Sequence, residues 1–418
     1  MRRRRRWLPI VHPHEGRRLP AELRAENVGR LAEACPGGLR DAAFSDLLRR
    51  IDQGPILAGN RVDLFVRGDE AFGAMCDAIA EARFEVLLES YILKDDGTGR
   101  AFGDRLAEAA ARGVAVKVLA DFFGSFATHS RFWSLMRRRG IHVRLFNPLF
   151  PHLLLQPFRD HRKILVVDRQ IGFTGGMNIA DEYGSARGGS RHGPWRDTQA
   201  RVEGPAAWEM AVVFSEAWRR SGGSIALEPL EGNPEGGVRI LTLDSRPGRG
   251  HGETAAALAA IVAAARRRVW ITNAYFAPRQ GAVDMLGKAA ARGIDVRLLL
   301  PGRSDVPLVR HAGHGYYRRL LELGVRVFEY RAAILHAKTL VADDEVSVVG
   351  STNLDFRSFH FNAECNLVIL DEEVGRTFSA AFENDLANAE EATIARWRRR
   401  PWFHALADGA ARLLAPVL

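Results

Sequence analysis

Apolar and polar positions along the chain alternate between two periods. Residues 84–93 (FEVLLESYIL) form a β-branched, apolar run and predict a strand. Residues 102–112 are alanine-rich with apolar positions at helical spacing, and Gly113 ends the pattern, so a helix is expected there. Residues 114–120 predict a strand, 131–139 a helix that stops at Gly140, and 141–146 the next strand. The same alternation returns as a helix over 254–267, a strand over 269–276, a helix over 282–292 and a strand over 294–300. Strands separated by helices of this length imply βαβ crossovers and sheets covered by helices, an α/β fold.

The alternation is duplicated. EVLLESYIL (85–93) resembles RVWITNAYF (268–276), AAARGVAVKVL (109–119) resembles AAARGIDVRLL (289–299), and GIHVRLF (140–146) resembles GVRVFEY (324–330). The order is the same in both copies, which places a boundary in the Gly-, Pro- and Ser-rich stretch 221–237. The expected organisation is a basic N-terminal extension (1–60), a first half (61–222), a second half (237–387) and a C-terminal tail (388–418). The extension offers one amphipathic helix, about 22–34, and the glycine-rich stretch 184–193 reads as a surface loop.

With 59 Lys+Arg against 50 Asp+Glu in 418 residues, the net charge is +9, which favours an anionic partner. A hydrophobic fraction of 47% with 26% charged residues excludes wholesale disorder, and no apolar run reaches the length of a membrane span. Cys35, Cys76 and Cys365 are too few for a four-cysteine zinc site or a disulfide framework. Five of the basic residues are lysines: Lys94, Lys117, Lys163, Lys288 and Lys338. In a chain that otherwise uses arginine, these positions invite attention.

Two of those lysines carry the chemistry. His161-Arg162-Lys163, then Asp168, then Gly175-Gly176-x-Asn178 is matched by His336-Ala337-Lys338, Asp343 and Gly350-Ser351-x-Asn353, with identical spacing. A lone H-x-K is ordinary surface; two copies inside a wider repeat are not. HRKILVVD and HAKTLVAD read as strands, so each histidine and its lysine are expected to share a face. Each half then supplies an imidazole, a cation and an amide, a set suited to a phosphodiester. Lysine and asparagine would bind the non-bridging oxygens, one imidazole would attack phosphorus and the other would protonate the departing alcohol. Imidazoles titrating near their ordinary value, about 6.5, would suit both roles. With no Cys or carboxylate cluster beside the lysines, neither a metal nor another cofactor is expected.

These motifs resemble the phospholipase D superfamily, whose hallmark is a pair of H-x-K-x4-D sequences. Within it the chain resembles the B-type bacterial cardiolipin synthases, on YILKDDGTGRAFGDRLAEAAARGV (91–114), DHRKILVVDRQIGFTGGMNIADEY (160–183), NAYFAPR (273–279) and VFEYRAAILHAKTLVADDEVSVVGSTNLDFRS (327–358). The resemblance spans about 62–385. It implies two similar α/β halves, mixed sheets flanked by helices, packed around a pseudo-two-fold axis with one interfacial active site. It also implies a covalent phosphohistidine and no metal.

Carried onto this sequence, the catalytic set is His161, Lys163 and Asp168 with His336, Lys338 and Asp343. His161 is assigned as nucleophile and His336 as general acid, an assignment the near-symmetry leaves open to exchange. Lys163, Asn178, Lys338 and Asn353 hold phosphate, and the two aspartates support strands. Glu364 and Asp197 match the acids that orient the histidines.

Residues 145–158 (LFNPLFPHLLLQPF) hold eight Leu or Phe and three Pro, a loop apolar enough to touch lipid. Trp397, Arg398, Arg399 and Arg400, followed by Trp402, Phe403, Leu406, Leu413 and Leu414, resemble an interfacial anchor. The expected partners are phospholipid substrates, phosphatidylglycerol first and phosphatidylethanolamine as an alternative, on an anionic membrane surface. The apolar loop disfavours nucleic acid. The resulting expectation is cardiolipin synthesis by phosphatidyl transfer at the cytoplasmic face of a bacterial inner membrane, with phospholipase D hydrolysis as the alternative.

Overall fold

The computed structural model describes residues 19–148, 158–184, 193–228, 236–246, 252–401 and 407–412. The loop 145–158, the glycine-rich stretch 184–193 and the linker 221–237 therefore fall partly outside the described residues. The run Arg2–Arg6 and the tail residues Trp402, Phe403, Leu406, Leu413 and Leu414 fall wholly outside them.

After helices α1 (Val28–Glu33) and α2 (Ala42–Asp52), the first half runs β1 (Ile56–Phe65), α3 (Gly68–Glu81), β2 (Glu85–Ser90), α4 (Gly97–Ala111), β3 (Ala115–Asp121), α5 (Ser130–Arg138), β4 (His142–Phe146), β5 (Arg159–Asp160), β6 (Lys163–Val167), β7 (Ile171–Gly175), β8 (Gln199–Glu203) and α6 (Pro205–Arg220). The second runs β9 (Val238–Ser245), α7 (Glu253–Ala264), β10 (Arg268–Asn273), β11 (Phe276–Ala277), α8 (Gln280–Ala291), β12 (Asp295–Pro301), α9 (Pro307–Glu322), β13 (Arg326–Tyr330), β14 (Lys338–Ala342), β15 (Val346–Gly350), β16 (Leu354–Asp355), α10 (Phe356–His360), β17 (Asn362–Leu370), α11 (Glu372–Leu386), β18 (Ala389–Ala392) and α12 (Ile394–Arg398).

The strand order shows the duplication directly. β4-β3-β2-β6-β7-β8-β1 in the first half is repeated as β13-β12-β10-β14-β15-β17-β9 in the second. β1 and β9 pair antiparallel at the centre, so the two sheets join and a pseudo-two-fold axis runs between them. In each half β2-β3-β4 or β10-β12-β13 are parallel and the other strands of the repeated order antiparallel, the mixed sheet that the resemblance implied. The helix ends follow local chemistry. Gly113, Gly140, Gly293 and Gly324 take positive φ just beyond their helices, where a side chain would be strained.

Three apolar cores divide the molecule. One lies under α3 and α4, one under α7 and α8, and a third between the halves, where α6 and α11 meet residues of both sheets.

Three expectations change. The N-terminal region is not a separate extension: Leu23, Val28, Ala32, Phe44 and Leu48 pack into the second half's core, and β1 begins at Ile56. Its helix is broken because Arg24 is extended, leaving a short turn at Ala21–Leu23 before α1. The described part of the tail docks on the core. β18 pairs with β13, and Trp397 packs on Tyr317 at a 4.6 Å ring separation.

Candidate active site

Each H-x-K motif crosses from one half to the other before it enters its own sheet. β5 pairs with β17 of the second half, and the His161 N–H donates to Ala363 O at 2.9 Å. Reciprocally, the His336 N–H donates to Arg196 O at 2.7 Å, beside a bridge between Arg196 and Leu335. The strands proper begin only at Lys163 and Lys338. The expectation of His and Lys on one strand face is thus corrected: the imidazoles lie in the crossing segments and the lysines at the strand starts.

The crossing sets the pairing of acids and histidines. Glu364, on β17, holds His161 Nδ1 with its two oxygens at 2.9 and 3.1 Å. Asp197, in the first half, holds His336 Nδ1 at 2.7 Å. Each histidine is therefore oriented through Nδ1 by the opposite half. Gly176 makes room for Asp197, since a Cβ there would collide with that carboxylate. Ser351 occupies the matching place in the second half, and its hydroxyl accepts from Cys365 N–H at 3.0 Å, next to Glu364 in the chain.

All the key groups are buried: both histidines, both lysines, both acids, and Asn178 and Asn353. Burial pushes His161 down to about 4; Glu364 opposes this, and the charges of Lys163 and Lys338 reinforce it. Burial and Lys338 lower His336 as well, against Asp197. Near neutral pH the site thus holds neutral imidazoles, in place of the half-titrated ones expected from their ordinary value. Lys163 is pushed down to about 7 and Lys338 to about 8, first by burial, although the nearby carboxylates raise both. Lys338 also lowers Lys163, so the two motifs share one electrostatic site. Burial pushes Glu364 up, but His161 and Lys163 outweigh it and the carboxyl stays below its usual range.

The remaining motif residues divide by role. Each lysine donates to the carbonyl of its own histidine, Lys163 to His161 O at 2.6 Å and Lys338 to His336 O, and Lys338 Nζ also sits 2.8 Å from Nδ1 and 3.1 Å from Nε2 of the His336 ring. Asn353 Oδ1 is buried without a hydrogen-bond partner. Asn178 is largely committed: its oxygen accepts from Ile92 N–H at 3.1 Å and its amide donates to Tyr183 OH at 2.7 Å.

Asp168 and Asp343, included in the catalytic set from sequence, do not reach the chemistry. Asp168 accepts from the N–H groups of Arg83, Phe84 and Glu85, and Asp343 from those of Arg266, Arg267 and Arg268. Each lies beyond the far end of the strand that its lysine starts, about 16 Å from it at the usual rise per residue.

Sequence reasoning missed the aromatic wall. Tyr91 meets the His161 ring at 4.9 Å, and Tyr183, Trp195 and Tyr275 surround His336 at 5.4–5.7 Å. The signal was present in SYIL and NAYF, where an aromatic ends each first strand, but the two tyrosines occupy different offsets.

Outside the site, His311, His314 and Asp408 bring metal-capable atoms within 4.8 Å of one another among the described residues. Asp408 there already pairs with Arg400, and the cluster ties the tail to α9.

Two α/β halves that each deliver a histidine and a lysine to one buried constellation define the phospholipase D class of phosphodiester chemistry. A family model described as "Cardiolipin synthase, PLD-like domain" matches residues 75–185 and 258–386. Cardiolipin synthase 1 of Bacillus anthracis is 31% identical, over 99% of this chain and 84% of that protein. Cardiolipin synthase A of Pseudomonas fluorescens is 37% identical, over 90% of this chain and 79% of that protein. The fold is that of the crystal structure of phosphatidylserine synthase from Haemophilus influenzae, at a TM-score of 0.70 and 12% identity, covering 90% of this chain and all of that one. The chain belongs to the phospholipase D-like cardiolipin synthase family.

Proposed function

We propose that this protein is a cardiolipin synthase, a phosphatidyltransferase that joins two phosphatidylglycerol molecules. His161 Nε2 attacks the phosphorus of the first lipid. The bond from phosphorus to the glycerol headgroup breaks, and His336 gives its proton to the departing glycerol. The phosphatidyl group then rests on His161. A glycerol hydroxyl of a second lipid attacks, its proton passes to His336, and cardiolipin leaves with His161 restored.

The observation that carries this reading is the crossed pairing, which fixes both Nδ1 atoms on carboxylates of the opposite half within one buried site. The depressed lysines add to it. A bound phosphodiester supplies the negative charge that returns them to their ammonium form, and the same charge raises His336 toward the protonated state a general acid needs. His161 is the better nucleophile because its Nε2 has no ammonium against it, whereas Lys338 stands on that of His336.

Peripheral attachment to an anionic membrane, on its cytoplasmic face, completes the reading. Among the described residues no helix is long and apolar enough to cross a membrane. Two pseudo-symmetric segments at the site's rim, the loop after β3 and the loop after β12 with the first turn of α9, expose Phe123 (58%), Phe126 (74%), Val306 (37%) and Leu308 (39%). Asp121 ties the first loop to the residue before His161, and the Tyr275 hydroxyl donates to Asp305 in the second. Apolar rings beside basic groups such as Arg159, which stacks on Phe123, fit the headgroup boundary.

The test is product analysis by mass spectrometry from phosphatidylglycerol vesicles. Cardiolipin and glycerol in equal amounts are expected. Phosphatidic acid as the lasting product at high acceptor concentration would make the protein a hydrolase instead. Phe123→Ser with Phe126→Ser is expected to weaken vesicle sedimentation several-fold, and unchanged sedimentation would remove the rim from the membrane contact.

A further inference from the structure

In the second half, α7 and α8 do not close fully onto the sheet. Between them and β10, β14 and β15 lies a narrow cavity, of which about 50 Å3 admits the centre of a water-sized sphere. Its walls include Leu258, Val262, Ile271, Phe276, Met285 and Leu286, and it reaches Lys338. Most polar groups that touch it are engaged elsewhere, Asn273 accepting from Leu354 N–H and Asn366 donating to the Thr352 hydroxyl, while Thr254 Oγ1 is buried without a hydrogen-bond partner. What the cavity offers a ligand is therefore apolar surface ending at a phosphate-binding lysine.

The pseudo-two-fold axis carries this place onto a packed one. The register is fixed by strand pairing, since Leu88 lies opposite Leu165 as Ile271 lies opposite Leu340. By the same alignment Phe72, Phe102, Phe173 and Met177 of the first half stand where the second half has Ala255, Ala282, Val348 and Thr352. All four first-half side chains are buried, and the Phe72 and Phe102 rings meet edge to face at 5.5 Å. Four large side chains fill the first half, and three of their smaller counterparts, Ala282, Val348 and Thr352, line the hollow in the second. Protein interiors otherwise pack to crystal density, so an apolar hollow retained beside the reacting group calls for an occupant.

We propose that this cavity seats one acyl chain of the donor phospholipid, the lipid whose phosphate the two lysines hold. The inference rests on the phosphatidyl-transfer reading and extends it to the lipid's hydrophobic end. A linear, unbranched hydrocarbon fits a slot between two helices and a sheet, and each methylene it buries strengthens binding by about fourfold. Because Phe72, Phe102, Phe173 and Met177 fill the equivalent place in the first half, only one of the two lipids is gripped there by its chain, which distinguishes donor from acceptor in a near-symmetric site.

The experiment installs the first-half residues, Ala282→Phe with Val348→Phe, in the full chain. kcat/KM is compared for long-chain and six-carbon phosphatidylglycerol donors at equal surface fraction in mixed micelles. The native protein is expected to favour the long chain by about tenfold or more, and the filled variant to lose that preference, chiefly through KM. Ala282→Leu is a milder filling for the case in which the double variant does not fold, and is expected to give an intermediate ratio. Independently, phosphatidylglycerol with a diazirine at the end of one acyl chain is expected to label residues between 254 and 286 in the native protein. An unchanged chain-length ratio in a folded filled variant, or labelling elsewhere, overturns the acyl slot. Cardiolipin formed with that result leaves the functional reading intact, whereas no cardiolipin from any donor overturns the functional reading itself.

Discussion

The two halves share a strand order, yet they surround their histidines differently. His161 has Glu364 behind it, a single tyrosine ring beside it and no cation on its Nε2. His336 has the shorter Asp197, three aromatic neighbours and Lys338 against its Nε2. Gly176 and Ser351 sharpen the contrast, one clearing space for a carboxylate and the other binding the Cys365 backbone. Duplication supplied two equal proton carriers, and the side chains around them separated their tasks. Phosphoryl transfer through a covalent histidine needs that separation, because the same group cannot attack phosphorus and protonate the leaving oxygen in one step.

The strongest way to break this contrast is to remove each histidine in turn. His161→Ala is expected to abolish transfer, by about 10^4-fold or more, and to leave no phosphoenzyme on acid-stable gels. His336→Ala is expected to slow transfer by about 10^2–10^4-fold while still trapping a lipid-phosphohistidine from a donor with an activated leaving group. Trapping in His161→Ala alone would exchange the two roles.

Next come the acids. Glu364→Gln is expected to slow phosphoenzyme formation, and Asp197→Asn to slow leaving-group departure, each by about 10^2–10^4-fold with little change in KM. Equal effects of both on a donor whose leaving group needs no proton would erase the proposed difference.

A smaller effect lies in acid stability. His161 binds its proton near pH 4 when folded but near its ordinary value, about 6.5, when unfolded. Its contribution is therefore present above pH 6.5 and lost as pH falls from 6.5 toward 4, where the unfolded chain takes up the proton first. The depressed Glu364 adds a loss of the same sign below its ordinary value. Thermal melts between pH 4 and 8 are expected to fall across that window in the native protein and to flatten in His161→Asn.

The least effect on chemistry belongs to Asp168→Ala and Asp343→Ala. Each removes three hydrogen bonds to backbone amides and is expected to cost about 2–3 kcal/mol of stability. Activity per folded molecule is expected to stay within severalfold of native, and loss of turnover in a folded Asp168→Ala protein would return that residue to the reacting set.

Much of this was legible in the sequence because local patterns are local physics. Alanine-rich segments ended by glycine became α4 and α8, and β-branched runs became β2, β3, β10 and β12. The two acids were visible as residues but not as a crossed pair, since periodicity says nothing about which half a loop reaches. The same limit hid β18 and the docking of α1 and α2. Their positions were readable, but the surface that α1 and α2 cover lies about 200 residues or more away in the chain and the strand that β18 joins about 60. Asn178 looked like a phosphate ligand by spacing, and only its bonds to Ile92 and Tyr183 show where most of its hydrogen-bonding capacity goes.

The exchange of carboxylates across the centre has an evolutionary consequence. A codon change at Glu364 disables an imidazole encoded 203 positions upstream, and one at Asp197 disables an imidazole encoded 139 positions downstream. Neither copy of the ancestral gene segment can decay or be lost while the other persists, so selection holds both as one inherited unit and leaves their interiors free to diverge.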